Sequence, residues 1–289
     1  MLKTVSTAFC SIGVAISTAA AFELPELDVA RTSFNYSGDM DFRDEDGSMS
    51  LTQFELQTLL SKPIEVVENV NIVPMFGYKN TNLNFENVGA NNEELHSLNL
   101  SALLFAGRDD SPWIFVGWGR AELATDFQAI SSDDLTYDFA GAAAYRFNKS
   151  FILAAGGAMA NLNGDSTFYP VIGFDWIINE KTRMGLYGPV FVASYTPCED
   201  WEFSVRGDSI GNIWNISDDQ GRSRSYNLYS YRLGIFAGRR LKDQLWLTAG
   251  VGATFGNQLK LTTPDGDEIF DEEMESGFFG QLGLRLKVW

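Results

Sequence analysis

Between residues 244 and 256 the chain alternates with a period of two. Leu245, Leu247, Ala249, Val251, Ala253 and Phe255 share one side of an extended strand, and Thr248, Gly250, Gly252, Thr254 and Gly256 share the other. The same pattern recurs in residues 168–178, where Phe168, Ile172, Phe174, Trp176 and Ile178 oppose Tyr169, Gly173 and Asp175. It returns in residues 201–213 and in the closing segment, where Phe278, Leu282, Leu284, Leu286 and Val288 oppose Gln281, Gly283, Arg285 and Lys287. Strands of soluble sandwiches are mostly about five or six residues long, whereas a tilted strand crossing a bilayer needs about 9 to 11. Long alternating strands that expose one oily face must close on themselves in hydrocarbon, because every backbone N–H and C=O there needs a partner. The expected fold is an all-β, closed antiparallel transmembrane β-barrel.

The beginning of the chain fits that destination. Met1-Leu2-Lys3 precedes a small, apolar run without acidic residues that ends in Ala19-Ala20-Ala21. This is the layout of a secretory signal peptide over residues 1–21, leaving 22–289 as one barrel domain. Cys10 lies in the leader, so Cys198 is the lone thiol of the processed chain, which excludes an internal disulfide, a cysteine-pair metal site and a redox CxxC. A formal net charge of -17 argues against nucleic acid as a partner, since phosphate needs a basic face.

Connections alternate in length, as they do where short periplasmic turns face longer outer loops. Short links fall at 61–63, 108–111, 148–149, 179–181, 196–200 and 242–243, and longer polar links near 39–48, 80–93, 127–133, 162–167, 214–224 and 259–275. Residues 181–196 break the parity unless Gly188-Pro189 is a turn between two short strands, which turn chemistry favours. The count is then about 14, with 12 if those short strands fold inward or the first strand is irregular. Both termini are expected in the periplasm. Aromatic residues near strand ends, such as Trp113, Phe115, Tyr145, Phe147, Tyr229 and Tyr231, read as interfacial girdles.

The segment Gly280-Gln281-Leu282-Gly283-Leu284-Arg285-Leu286-Lys287-Val288-Trp289 resembles the terminal strand of bacterial outer-membrane barrels. That resemblance implies recognition by the barrel-assembly machinery through Leu284, Leu286, Val288 and Trp289, although the final aromatic falls one step out of phase. Residues 168–289, with Tyr169-Pro170-Val171-Ile172-Gly173, Asn179-Glu180-Lys181 and Gly188-Pro189, resemble an uncharacterised family of outer-membrane barrel proteins. The likeness implies the fold and an outer-membrane location beside lipid and lipopolysaccharide. It implies no activity.

On the polar face of these strands lie Arg120, Arg146, Arg206, Arg232 and Arg285, answered by Glu122, Asp138, Asp175, Glu202 and Asp208. Arg31, Lys79, Arg183, Lys287, Glu55 and Asp126 share that parity. Such groups either line a polar solute path or pair with one another in a water-poor interior. Small residues on the same face, Ala140, Ala142 and Ala144, then Ala154, Gly156, Ala158 and Ala160, suit both. His96, the lone histidine, has outward parity with Leu98 and Leu100, while Ser97 and Ser101 point inward, which leaves a barrel lipid hydrolase with little residue support. Acidic loops carry most of the net charge, at Asp39, Asp41, Asp44, Glu45 and Asp46, then Asp265, Asp267, Glu268, Asp271, Glu272, Glu273 and Glu275. They are candidate divalent-cation contacts without an EF-hand frame. The expected function is porin-like passive passage of small hydrophilic solutes, with no cofactor or resident metal and no enzymatic activity. The alternative is a closed barrel with a structural or surface-binding role through its acidic loops.

Overall fold

A computed structural model describes residues 28–44, 46–87, 91–108, 110–128, 130–162, 165–217, 223–263 and 267–287. The leader, residues 22–27, Glu45, Asp265, Val288 and Trp289 lie outside the described residues. The strands are β1 (Asp28–Asp41), β2 (Ser48–Leu59), β3 (Ile64–Val67), β4 (Val70–Glu86), β5 (Glu93–Gly107), β6 (Trp113–Thr125), β7 (Leu135–Asn148) and β8 (Phe151–Leu162). They continue as β9 (Asp165–Asn179), β10 (Thr182–Tyr187), β11 (Val190–Cys198), β12 (Trp201–Ser217), β13 (Ser223–Lys242), β14 (Leu245–Thr262), β15 (Glu268–Met274) and β16 (Gly277–Lys287). No α-helix occurs among the described residues; a 3-10 turn at Ser132–Asp134 precedes β7.

Fourteen of these strands form a closed antiparallel wall. The closing seam joins β1 to β16, with Arg31 opposite Arg285 and Phe34 opposite Leu282. Two short strands extend neighbours instead of widening the wall: β3 pairs with the start of β4, and β15 pairs with the end of β14. The first and last wall strands meet the short turns at one end of the barrel, called here the termini end. Gly188-Pro189 does join two short strands, with Tyr187 opposite Val190 and Gly188 at φ 65°. Of the two common hairpin turns, only the II′ form needs positive φ at the first central residue alone, and Pro189 cannot supply it at the second.

The outward face is oily. Phe34, Leu100, Phe139, Ile172, Ile235 and Phe278 are all exposed. Near the termini end the rings of Trp113, Tyr145, Phe147, Phe151 and Trp176 follow one another with centroids 5.0, 4.9, 5.8 and 6.5 Å apart, a continuous arc of girdle.

At the opposite end the structure departs from a uniform tube. Residues 214–217, 259–262 and 268–274, expected in long loops, continue the strands. The reason is apolar: Met49, Leu83, Leu95, Trp214, Leu228, Leu259 and Met274 are fully buried together inside this end. Each buried aliphatic side chain contributes roughly 1.5–3 kcal/mol relative to water exposure, enough to favour ordered strand over a solvated loop. Register changes deliver these residues inward. On β1 the pairing shifts between Ser37 and Met40, so that Met40 takes the inner side that Asn35 and Ser37 hold below it. Between β13 and β14 the shift at Tyr229/Tyr231 coincides with Gly256 at φ 60°, and Leu259 and Leu261 become buried on a strand whose odd positions were outward. One extra residue reverses every side chain that follows.

Strand length explains how this end narrows. β10 and β11 are so short that they reach only Gly173 on β9 and Gly207 on β12. Beyond that height β12 leans across the barrel to β6, where Asn215 forms a parallel bridge with Thr125. β9 runs on past Gly173 as an edge on that side and carries Pro170, a residue without an N–H to leave unpaired.

Candidate functional site

The interior carries charged groups on several strands, most of them in ion pairs. On β6 and β7, Arg120 donates to Asp138 through Nε at 2.9 Å and also pairs with Glu122. On β9 and β10, Arg183 meets Asp175 through Nε at 2.7 Å, and Tyr187 donates to the same carboxylate at 3.3 Å. Arg232 on β13 grips Asp208 on β12 with Nε and Nη2, at 2.5 and 2.9 Å, and stacks over Phe279. These carboxylates are almost wholly withdrawn from solvent: Glu122 is 1% exposed, Asp138 3% and Asp175 5%. A buried ion survives only when paired and hydrogen-bonded, and the two-pronged guanidinium contact does both.

A larger cluster occupies the termini end. Glu202 on β12 receives Arg206 and Arg285 at 3.3 Å and Lys287 at 3.0 Å, while Arg285 also meets Asp28 at 2.9 Å. Lys287 sits over the ring of Trp246 at 4.4 Å and Arg206 over Phe236 at 4.9 Å. Strands three apart in the wall are thus tied by one carboxylate. Arg146 and Arg31 have no carboxylate within ion-pair distance among the described residues.

Between the ionised groups and the apolar end lies a polar bridge across the barrel. Ser97 Oγ on β5 accepts from Asn212 Nδ2 at 2.7 Å and from Trp214 Nε1 at 3.1 Å, and Asn212 also donates to Glu122 Oε1 at 2.5 Å. Sequence reasoning placed Ser97 inward but missed Asn212 and Trp214. A signal was present: on β12 the even positions are polar from Glu202 to Asp208 and then turn apolar at Ile210, Trp214 and Ile216 without leaving the inner face. The stripe of small residues on β7 and β8 is covered by Tyr169 at Ala158 and Ala160, whereas Gly156 stays exposed.

Outside the wall, His96 lies between Tyr78 and Phe127, its ring 4.7 Å from that of Phe127. Its other partners are the Tyr78 hydroxyl at 3.0 Å, the Asn80 amide at 3.3 Å and Glu94 at 4.0 Å. No serine is among them, and Ser97 is committed to the opposite face. Acidic residues beyond the wall are partly neutralised. Lys260 binds Glu268 at 2.7 Å and Asp271 at 3.2 Å, and Arg43 binds Glu273 at 2.5 Å.

A closed antiparallel wall with an oily exterior and ion pairs within is a fold that this chain shares with outer-membrane channels. The chain belongs to the family described as Domain of unknown function (DUF6268), whose profile matches residues 20–287. In fold it is similar to the COG4313 outer membrane channel from Pseudomonas putida F1, at 8% identity and a TM-score of 0.53, over 98% of this chain and 100% of that one. Weaker similarity extends to the NanC porin (9% identity, TM-score 0.37, 90% of this chain and 100% of that one). The Pseudomonas putida toluene transporter TodX stands at 8% identity and a TM-score of 0.34, over 90% of each chain. No curated relative matches the chain in sequence.

Proposed function

We propose that the protein is an outer-membrane channel for passive passage of small hydrophilic solutes. The observation that carries this reading is the cluster of Arg206, Arg285 and Lys287 around Glu202 inside the termini end, whose side chains stay 16–29% exposed. Ionised groups kept within reach of water suit a polar solute path, whereas the almost wholly buried pairs at Asp138 and Asp175 suit either reading. Cleavage after Ala21 delivers the chain to the periplasm, the assembly machinery reads the segment ending in Leu284, Leu286, Val288 and Trp289, and both termini stay periplasmic. The acidic outer residues concentrate cations at the mouth and bridge through divalent ions to lipopolysaccharide. No reaction is assigned: His96 serves as an interfacial polar residue.

Planar-bilayer recording of the refolded protein tests this. Discrete current steps are expected, and their absence at every salt concentration and voltage overturns the transport reading. A second reading, a closed barrel with a structural or surface-binding role, draws on the apolar cluster around Trp214, which fills the end opposite the termini. Under the channel reading that cluster and the Asn212 bridge form the closed state of the mouth.

A further inference from the structure

Among the described residues, the charge at the termini end does not balance. Arg31, Arg206, Arg285 and Lys287 gather around two carboxylates, Asp28 and Glu202. Arg31 and Arg285 stand directly opposite each other across the closing seam, a like-charge cross-strand pair that destabilises a sheet unless an anion lies between. Arg285 and Glu202 are tied to each other, but Arg31 has no carboxylate within ion-pair reach among the described residues. The group is not sealed: side-chain exposure is 28% for Arg206, 21% for Arg285 and 29% for Lys287. It therefore meets water inside the barrel.

We propose that this cluster is a binding site for small carboxylate-bearing anions, which supply the charge that Asp28 and Glu202 leave unmet. The proposal deepens the channel reading by naming the solute class its inner end favours. Guanidinium groups suit it because they present paired N–H donors to a planar carboxylate. Low-dielectric walls focus the field of the excess cations, so this end, not the acidic mouth, sets the sign of selectivity.

The test uses the full processed chain in detergent, with malonate as probe and KCl adjusted to constant ionic strength. Malonate at ten times its dissociation constant is expected to raise the thermal midpoint by about 2–4 °C. Arg31→Gln, at a position without an ion pair among the described residues, is expected to fold and to weaken that binding about tenfold, and Lys79→Gln to leave it unchanged. No shift in the wild-type chain, or an equal shift in Arg31→Gln, overturns the site. Glu23 and Glu26 precede Asp28 in the chain. If only the Glu23→Gln/Glu26→Gln variant responds to malonate, the chain's own carboxylates fill the site and the proposal fails. These readouts need no current, so they separate failure of the anion site from failure of the transport reading. Where current steps occur, the reversal potential in a KCl gradient is expected to favour chloride and to move toward zero in Arg31→Gln; cation preference in the wild-type chain contradicts the proposal.

Discussion

Asn212 on β12 donates to Glu122 on β6 at 2.5 Å, joining two strands that are not neighbours in the wall. Glu122 is thereby shared between Asn212 and Arg120, so the polar interior and the narrowed end are mechanically one unit. A hydrogen bond to a charged group contributes about 1.5–3 kcal/mol. Asn212→Ala is expected to lose that much stability in urea titrations of the micelle-bound barrel. In a double-mutant cycle with Glu122→Gln, the coupling should approach the same figure. Coupling near zero would show the bond to be incidental.

Trp214 is fully buried where β12 crosses toward β6. Truncation to Ala removes its ring from the apolar cluster and costs about 3–5 kcal/mol if the cavity does not collapse. The wall ladder does not depend on the ring, so the barrel is expected to stay folded while its mouth loosens. Single-channel conductance or open time should rise relative to the unmodified protein, and unchanged current would place the resistance elsewhere.

Asp208 and Arg232 form a bidentate pair with side chains 16% and 10% exposed. Asp208→Asn removes the carboxylate but leaves the guanidinium in place, and is expected to destabilise by about 3–5 kcal/mol. Replacing both, as Asp208→Leu with Arg232→Met, should recover most of that loss, since two apolar groups need no partner. Chemical denaturation of the three variants decides it; a double variant as unstable as the single would point to a role beyond pairing.

Lys260 lies beyond the wall, on the part of β14 that pairs with β15. Its ammonium donates hydrogen bonds to Glu268 and then Asp271, which hold its pKa above the ordinary value of 10.5. A raised folded-state value means the contribution is fully present below pH 10.5 and lost as pH climbs through the raised value. For a group this open to solvent it is worth at most about 1 kcal/mol. The thermal midpoint of Lys260→Gln is therefore expected to lie slightly below wild type at pH 8 and at pH 10 alike, with the gap closing above that range and in high salt.

Much of the wall was legible in the residues because a strand's side-chain period is two and a bilayer demands long, closed strands. The outward stripe Leu245 to Phe255, the Gly188-Pro189 turn and the parity of the count are local consequences of pleat and turn chemistry. Pairing between ionised groups was less legible. Asp175 with Arg183 sits on adjacent strands, but Glu202 with Arg285 depends on how tightly the wall curls between β12 and β16.

The sequence alone determined that this chain is a membrane-type β-barrel with a polar interior, since alternation, strand length and turn residues each act within one or two strands. Only the tertiary structure decided that the interior is apolar at one end and cationic at the other. Bulges at Met40 and Gly256 reverse which face a side chain takes, and the shortness of β10 and β11 lets β12 cross to β6. Contacts such as Asn212 with Ser97 arise from strands 115 residues apart, whose meeting no local period encodes.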